Sequence, residues 1–144
     1  MTRERSGPGP SSGRDAERTA LQRRVLLVDD DDDFRASVAE VLRDEGWEVT
    51  TAHDGEEALA LARALDEFVL LVDYRMPGLN GGEVFEQMRG RSPSRLPAVL
   101  MTASKHVADL AAHHGFRHHV GKPFSLDDLL GTLELALRGG EPGE

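Results

Sequence analysis

Short, unbroken apolar runs alternate along the chain with stretches whose apolar residues recur every three or four positions. Val25–Val28, Phe68–Val72 and "PAVLM" are of the first kind. They are too short for helices and carry no polar interruption, as strands covered on both faces require. "WEVTTA" and "FRHHVG" are weaker strand patterns. Phe34, Val38, Val41 and Leu42 fall at i, i+4, i+7 and i+8, one stripe of a helix ending near Gly46. "DGEEALALARAL" opens with Asp54 and Glu57 at capping-box spacing, and "GGEVFEQMRG" reads as a short helix closed by Gly90. "SKHVADLAAHHG" predicts a further helix. Ser125 and Asp128 cap "LDDLLGTLELALR", with Phe124 and Leu129 spaced as a hydrophobic staple. Strand and helix thus alternate five times, which requires parallel strands with helices on both faces of one sheet: a doubly wound α/β fold.

The ends read differently. Residues 1–22 are rich in Gly, Pro, Ser and Arg and predict a flexible leader, though "DAERTALQRR" has helical character; 139–144 predict a frayed tail. Residues 23–138 form the folded domain, and 144 residues in all suit a single core. Net charge is −9. Residues 1–24 hold six arginines against three acids, which leaves 11 cations against 23 acids, −12, in the remainder. So acidic a body argues against direct nucleic-acid binding. No apolar run spans a bilayer and the start of the chain lacks a signal-peptide core, so the expected location is the cytoplasm. There is no cysteine, hence neither disulfide nor thiolate metal site.

Candidate chemistry collects where the strands stop. Asp29 and Asp30 follow the first predicted strand, Asp73 the third, Thr102 the fourth and Lys122 the last. Ligands of open parallel sheets bind outside the carboxyl ends of the strands, so the fold would gather these residues at one rim. The run of five aspartates, Asp29 to Asp33, then needs a reason. Two carboxylates about 4 Å apart repel by about 4 kcal/mol at an effective dielectric near 20. Asp29, Asp30 and Asp73 are tolerable together around a hard divalent cation, with Mg²⁺ the natural candidate. Asp31, Asp32 and Asp33 suit the loop and first turn of the helix beginning around Phe34, where the dipole and open N–H groups favour acids. A carboxylate beside Mg²⁺ can attack phosphorus. Asp73 is then the nucleophile, with Lys122 and Thr102 serving the phosphoryl oxygens.

"VLLVDDD", "LLVDYRMPGLNGGEV", "VLMTAS" and "VGKPFSLDDLL", in this order, resemble the receiver domain of bacterial two-component response regulators, over roughly Arg24 to Arg138. The resemblance implies a flavodoxin-like, five-stranded parallel sheet. It also implies a phosphoryl group accepted on Asp73 from the phosphohistidine of a sensor kinase or from a phosphotransfer protein. Asp30, Asp73 and the main-chain carbonyl of Arg75 would hold Mg²⁺, with Asp29 reaching it through water. Thr102 and Lys122 would contact the phosphoryl oxygens, and the Lys122–Pro123 bond is often cis in the family. His119 stands where receivers usually carry Tyr or Phe. The span from Thr102 to Lys122 is about two residues short, which shortens the fourth helix. Arg75 and Ser104 sit two positions after Asp73 and Thr102, where side chains tune phosphoryl lifetime.

The implied role is a signalling switch, not an enzyme acting on other substrates. Its output is a downstream protein, and the possibility of a homodimer is left open. Two other readings compete. A pseudo-receiver would bind a partner without phosphorylation. A haloacid-dehalogenase-type phosphatase would use Asp29 and Asp31, but Asp33 and Phe34 occupy its next slots and no cap fits. His113, His114, His118 and His119 are assigned to surface or packing roles, Trp47 to a plug at the core edge, and Met76-Pro77-Gly78 to a turn.

Overall fold

The computed structural model describes residues 23–91 and 95–139. The leader expected over 1–22 lies outside them, as does the tail beyond Gly139. Five strands form one parallel sheet: β1 (Arg24–Val28), β2 (Glu48–Ala52), β3 (Val69–Asp73), β4 (Ala98–Thr102) and β5 (His118–Gly121). Their order is β2-β1-β3-β4-β5. The helices α1 (Asp32–Asp44), α2 (Gly55–Ala62), α3 (Gly81–Arg91), α4 (Val107–His114) and α5 (Leu126–Arg138) alternate with them. The five-fold alternation read from the sequence is therefore the observed architecture.

Side chains of each strand alternate between two cores. Val25, Leu27, Val69, Leu71, Val99, Met101 and Val120 face α1 and α5, packing on Val38, Leu42, Leu129 and Leu133. Leu26, Val28, Leu70, Val72 and Leu100 face the other way, onto Leu59, Val84, Phe85, Met88 and Ala111 of α2, α3 and α4. Burial on both faces explains why β1, β3 and β4 are apolar throughout: a polar residue has no wet side to occupy.

The caps expected at Asp54 and Ser125 are in place, while α1 begins at Asp32, two residues before the expected start, with Asp31 as its cap. Asp31, Asp54 and Ser125 accept hydrogen bonds from the N–H groups of Phe34, Glu57 and Asp128 at 3.0, 2.8 and 3.0 Å. At α2 the second half of the capping box shifts by one residue, because Glu57 accepts from the N–H of His53, at 2.7 Å. Gly46, at φ +95°, follows the α1 C-cap in a conformation that a Cβ would strain.

Three details differ from the pattern. Val41, placed on the buried stripe of α1, is 38% exposed, while Ala39 is buried. The buried face of α1 runs through Val38, Ala39 and Leu42, which turns Val41 toward solvent. Gly90 does not close α3, which continues to Arg91. The glycine has no positive φ, so it supplies no helix stop. Finally, α2 ends at Ala62 and the residues after it turn instead of completing the longer helix. The α4 helix has eight residues, in keeping with the short Thr102–Lys122 span.

Candidate phosphoryl-acceptor site

The sheet order places the carboxyl ends of β1, β3, β4 and β5 side by side. The chain reverses its winding direction between β1 and β3, and that crevice is where such sheets open to ligands. Asp29 and Asp30 come directly after β1, while Asp73 ends β3 and pairs in register with Met101. Thr102 ends β4 opposite Gly121, and the backbone N–H of Lys122 donates to the Thr102 carbonyl at 2.8 Å. Residues up to 93 positions apart thus share one rim.

One oxygen from each of Asp29, Asp30 and Asp73 lies within 4.8 Å of the others. Asp29 is 1% exposed and Asp73 7%, whereas Asp30 faces solvent. The Lys122 ammonium bridges the two buried carboxylates, at 2.8 Å from Asp29 Oδ2 and 3.2 Å from Asp73 Oδ1. Asp29 Oδ1 accepts the backbone N–H of Asp31 at 3.0 Å, which ties the strand-end part of the run to its capping part. A single ammonium among three carboxylates leaves excess negative charge. Burial, followed by repulsion from Asp29 and Asp30, pushes Asp73 up to about 6 despite the attraction of Lys122. Burial works against the Lys122 charge, but the hydrogen bond to Asp29 and the two carboxylates outweigh it and raise its pKa.

Exclusively oxygen donors, converging on a charge deficit with one side open to water, fit a hard divalent ion such as Mg²⁺. The donor set offers nothing soft for zinc or copper.

Thr102 is 1% exposed, and its hydroxyl accepts the N–H of Ser104 at 3.2 Å. Arg75 points to solvent beyond β3 and Ser104 is half-buried in the loop after β4. His119 is exposed on β5. Its neighbour His118 is buried, sharing the inward parity of Val120. His114 packs beside Tyr74 and pairs with Glu86 at 2.8 Å. The Lys122–Pro123 peptide is cis. Gly81 comes so close to the Asp73 carbonyl that a Cβ would collide with it, which holds the start of α3 against the end of β3.

Two contacts at the site were not expected from the sequence, one by Arg35 and one by Phe34, which the pattern placed only on the apolar stripe of α1. Arg35 donates to the Asp29 carbonyl at 2.6 Å and to Asp32 at 2.7 Å, so it fastens the β1–α1 loop. Phe34 lies with its ring 4.1 Å from the Lys122 ammonium. Both follow the aspartate run directly, and the Asp32–Arg35 spacing of i, i+3 was the available clue. A cavity of about 510 Å³ opens elsewhere, at the opposite rim of the sheet among Leu59, Phe68, Met88 and Leu96. It holds none of these groups.

Comparison with known proteins identifies the family. The model of the response regulator receiver domain matches residues 25–134. The chain is 39% identical over 123 residues to the response regulator MprA of Mycobacterium tuberculosis, covering 83% of this chain and 52% of that protein. It spans about half the length of the curated relatives it matches. Among solved structures, Vibrio cholerae chemotaxis protein CheY4 superposes with a TM-score of 0.72 at 34% identity, covering 78% of this chain and 97% of that one. Thermotoga maritima response regulator TrrA, solved in complex with Mg²⁺-BeF, gives 0.70 at 32% identity over the same shares. With the family model covering most of its length, this chain belongs to the response regulator receiver domain family.

Proposed function

We propose that this domain accepts a phosphoryl group on Asp73, drawn from the phosphohistidine of a sensor kinase or of a phosphotransfer protein. The observation that carries the proposal is the bridge made by Lys122 to Asp29 and Asp73, at 2.8 and 3.2 Å, inside a cluster of three carboxylates. An Asp73 carboxylate oxygen attacks phosphorus and forms the new P–O bond. The P–N bond to the donor imidazole breaks, and its electron pair stays on that nitrogen. Asp29, Asp30, Asp73 and the Arg75 carbonyl are the groups assigned to Mg²⁺, which when bound neutralises charge on the transferring group. Lys122 supplies a compact positive charge to the phosphoryl oxygens and Thr102 a hydroxyl donor. Asp73 must be ionised to attack, and in the metal-free protein burial and the neighbouring carboxylates push its pKa up to about 6. A bound cation lowers that pKa.

The output assigned to the phosphorylated form is a change in a protein-binding face, in a soluble cytoplasmic setting. Three observations support it. Thr102 sits at the junction of β4 with the short α4, His119 lies exposed on β5 beside them, and the chain's acidity disfavours nucleic acid as the direct partner of this domain. No helix among the described residues is long and apolar enough to cross a membrane.

Incubation with Mg²⁺ and acetyl phosphate, followed by intact mass measurement, tests the proposal. One added phosphoryl group is expected, dependent on metal and absent in Asp73→Asn. An unmodified wild-type mass would instead favour partner binding without phosphorylation.

A further inference from the structure

The Lys122 ammonium has a third neighbour besides its two carboxylates. The ring of Phe34 lies 4.1 Å away, with the cation over its face, well inside the range of cation–π attraction. The ring is itself fixed from two directions. Its backbone N–H is tied to the Asp31 side chain at 3.0 Å in the first turn of α1. Its edge meets Phe124 at 6.0 Å between centroids and 74° between planes. Phe124 follows Pro123 and precedes the Ser125 cap of α5.

We infer that Phe34 is a positioning residue for Lys122: an aromatic platform that keeps the ammonium at the rim while its carboxylate partners change state. The inference rests on the phosphoryl-acceptor role proposed above. Lysine carries its charge on a flexible four-carbon stem, and a charge that must meet an incoming phosphoryl group gains from being held in advance. The two carboxylates cannot hold it throughout, because phosphorylation converts Asp73 into an acyl phosphate and a cation draws on the same oxygens. A ring face has no such conflict. It offers negative potential without a proton or a ligand site, so its attraction persists through each state of Asp29 and Asp73. The same ring packs on Phe124, which links the position of Lys122 to the start of α5.

The composition makes this directly measurable. The chain contains only two lysines, Lys105 and Lys122, and Lys105 is exposed. In protein labelled with carbon-13 lysine, the side-chain Cε–H region therefore shows two signals. A proton held over a ring face is shifted upfield, so the Lys122 signal should lie upfield of that of Lys105. The shift should remain in Phe34→Tyr and collapse toward the Lys105 position in Phe34→Leu. Phosphorylation by acetyl phosphate with Mg²⁺ should slow about five- to tenfold in Phe34→Leu and stay within about twofold of wild type in Phe34→Tyr, which preserves the ring face. Thermal melts of both variants report whether the fold is intact.

Coincident lysine signals in the wild type, which require no variant, overturn the platform. So does a folded Phe34→Leu protein that is phosphorylated at the wild-type rate. A wild type that shows the ring shift but takes no phosphoryl group overturns the acceptor role of Asp73 and leaves the platform standing.

Discussion

Asp29 and Asp33 are four residues apart in one unbroken aspartate run, and their surroundings are opposite. Asp29 is 1% exposed, clasped by Lys122 and by the N–H of Asp31. Asp33 lies in the first turn of α1 with its side chain in water. Between them Asp30 faces the rim, Asp31 caps the helix and Asp32 pairs with Arg35. Like charges in a row are therefore not one feature. The strand end commits the first two residues to the interior and the rim. The helix start assigns the other three to open N–H groups and solvent, where an acid is favourable. The candidate chemistry gathers at the first part of the run, and the second part starts the helix.

The largest separation between the two parts should come from Asp29→Ala. It removes the nearest partner of the Lys122 ammonium and the acceptor of the Asp31 N–H, at an expected cost of about 2–3 kcal/mol. Chemical denaturation would measure it. An unchanged midpoint would mean that Lys122 does not depend on Asp29.

Asp73→Asn should act in the other direction in metal-free protein. The folded-state pKa of Asp73 is raised, from 3.8 to about 6, so the ionised group opposes folding above that pH. The folded state binds this proton more tightly than the unfolded chain. Stability therefore falls as pH rises from about 4 to about 6. The variant should gain about 1–2 kcal/mol at pH 7.5, and the gain should fade toward pH 4. Melting temperatures of the two proteins across pH test this, and saturating Mg²⁺ should narrow the difference by stabilising only the wild type.

In the capping part the effects shrink. Asp31→Ala should cost about 1 kcal/mol through loss of the helix cap, and Asp33→Ala less than about 0.5 kcal/mol. Neither should alter phosphorylation of Asp73 by more than a small factor. A large kinetic effect of Asp33→Ala would break the division.

Much of the molecule was legible because its signals are local. Apolar runs between turns marked β1, β3 and β4, and side chains that cap their own helix marked Asp31, Asp54 and Ser125. The convergence of Asp29, Asp73, Thr102 and Lys122 followed from parallel strands ending at one rim, since each residue directly follows or ends a strand pattern. What escaped is tertiary. Exposure of Val41 depends on how much of α1 the sheet covers. The ring of Phe34 meets Lys122 from 88 positions away in sequence, although β3 and β4 separate β1 from β5 in the sheet. The histidine pair is an intermediate case. His118 shares a face with Val120, and period-two parity in "HHVG" would have sent it inward and His119 out.

Titration with Mg²⁺ by calorimetry, comparing wild type, Asp30→Asn and Asp33→Asn, tests the division most directly. One ion should bind the wild type and Asp33→Asn with equal affinity, while Asp30→Asn should lose upwards of about tenfold. Equal losses in both variants, or none in either, would contradict the assignment of the cation to the first two aspartates of the run.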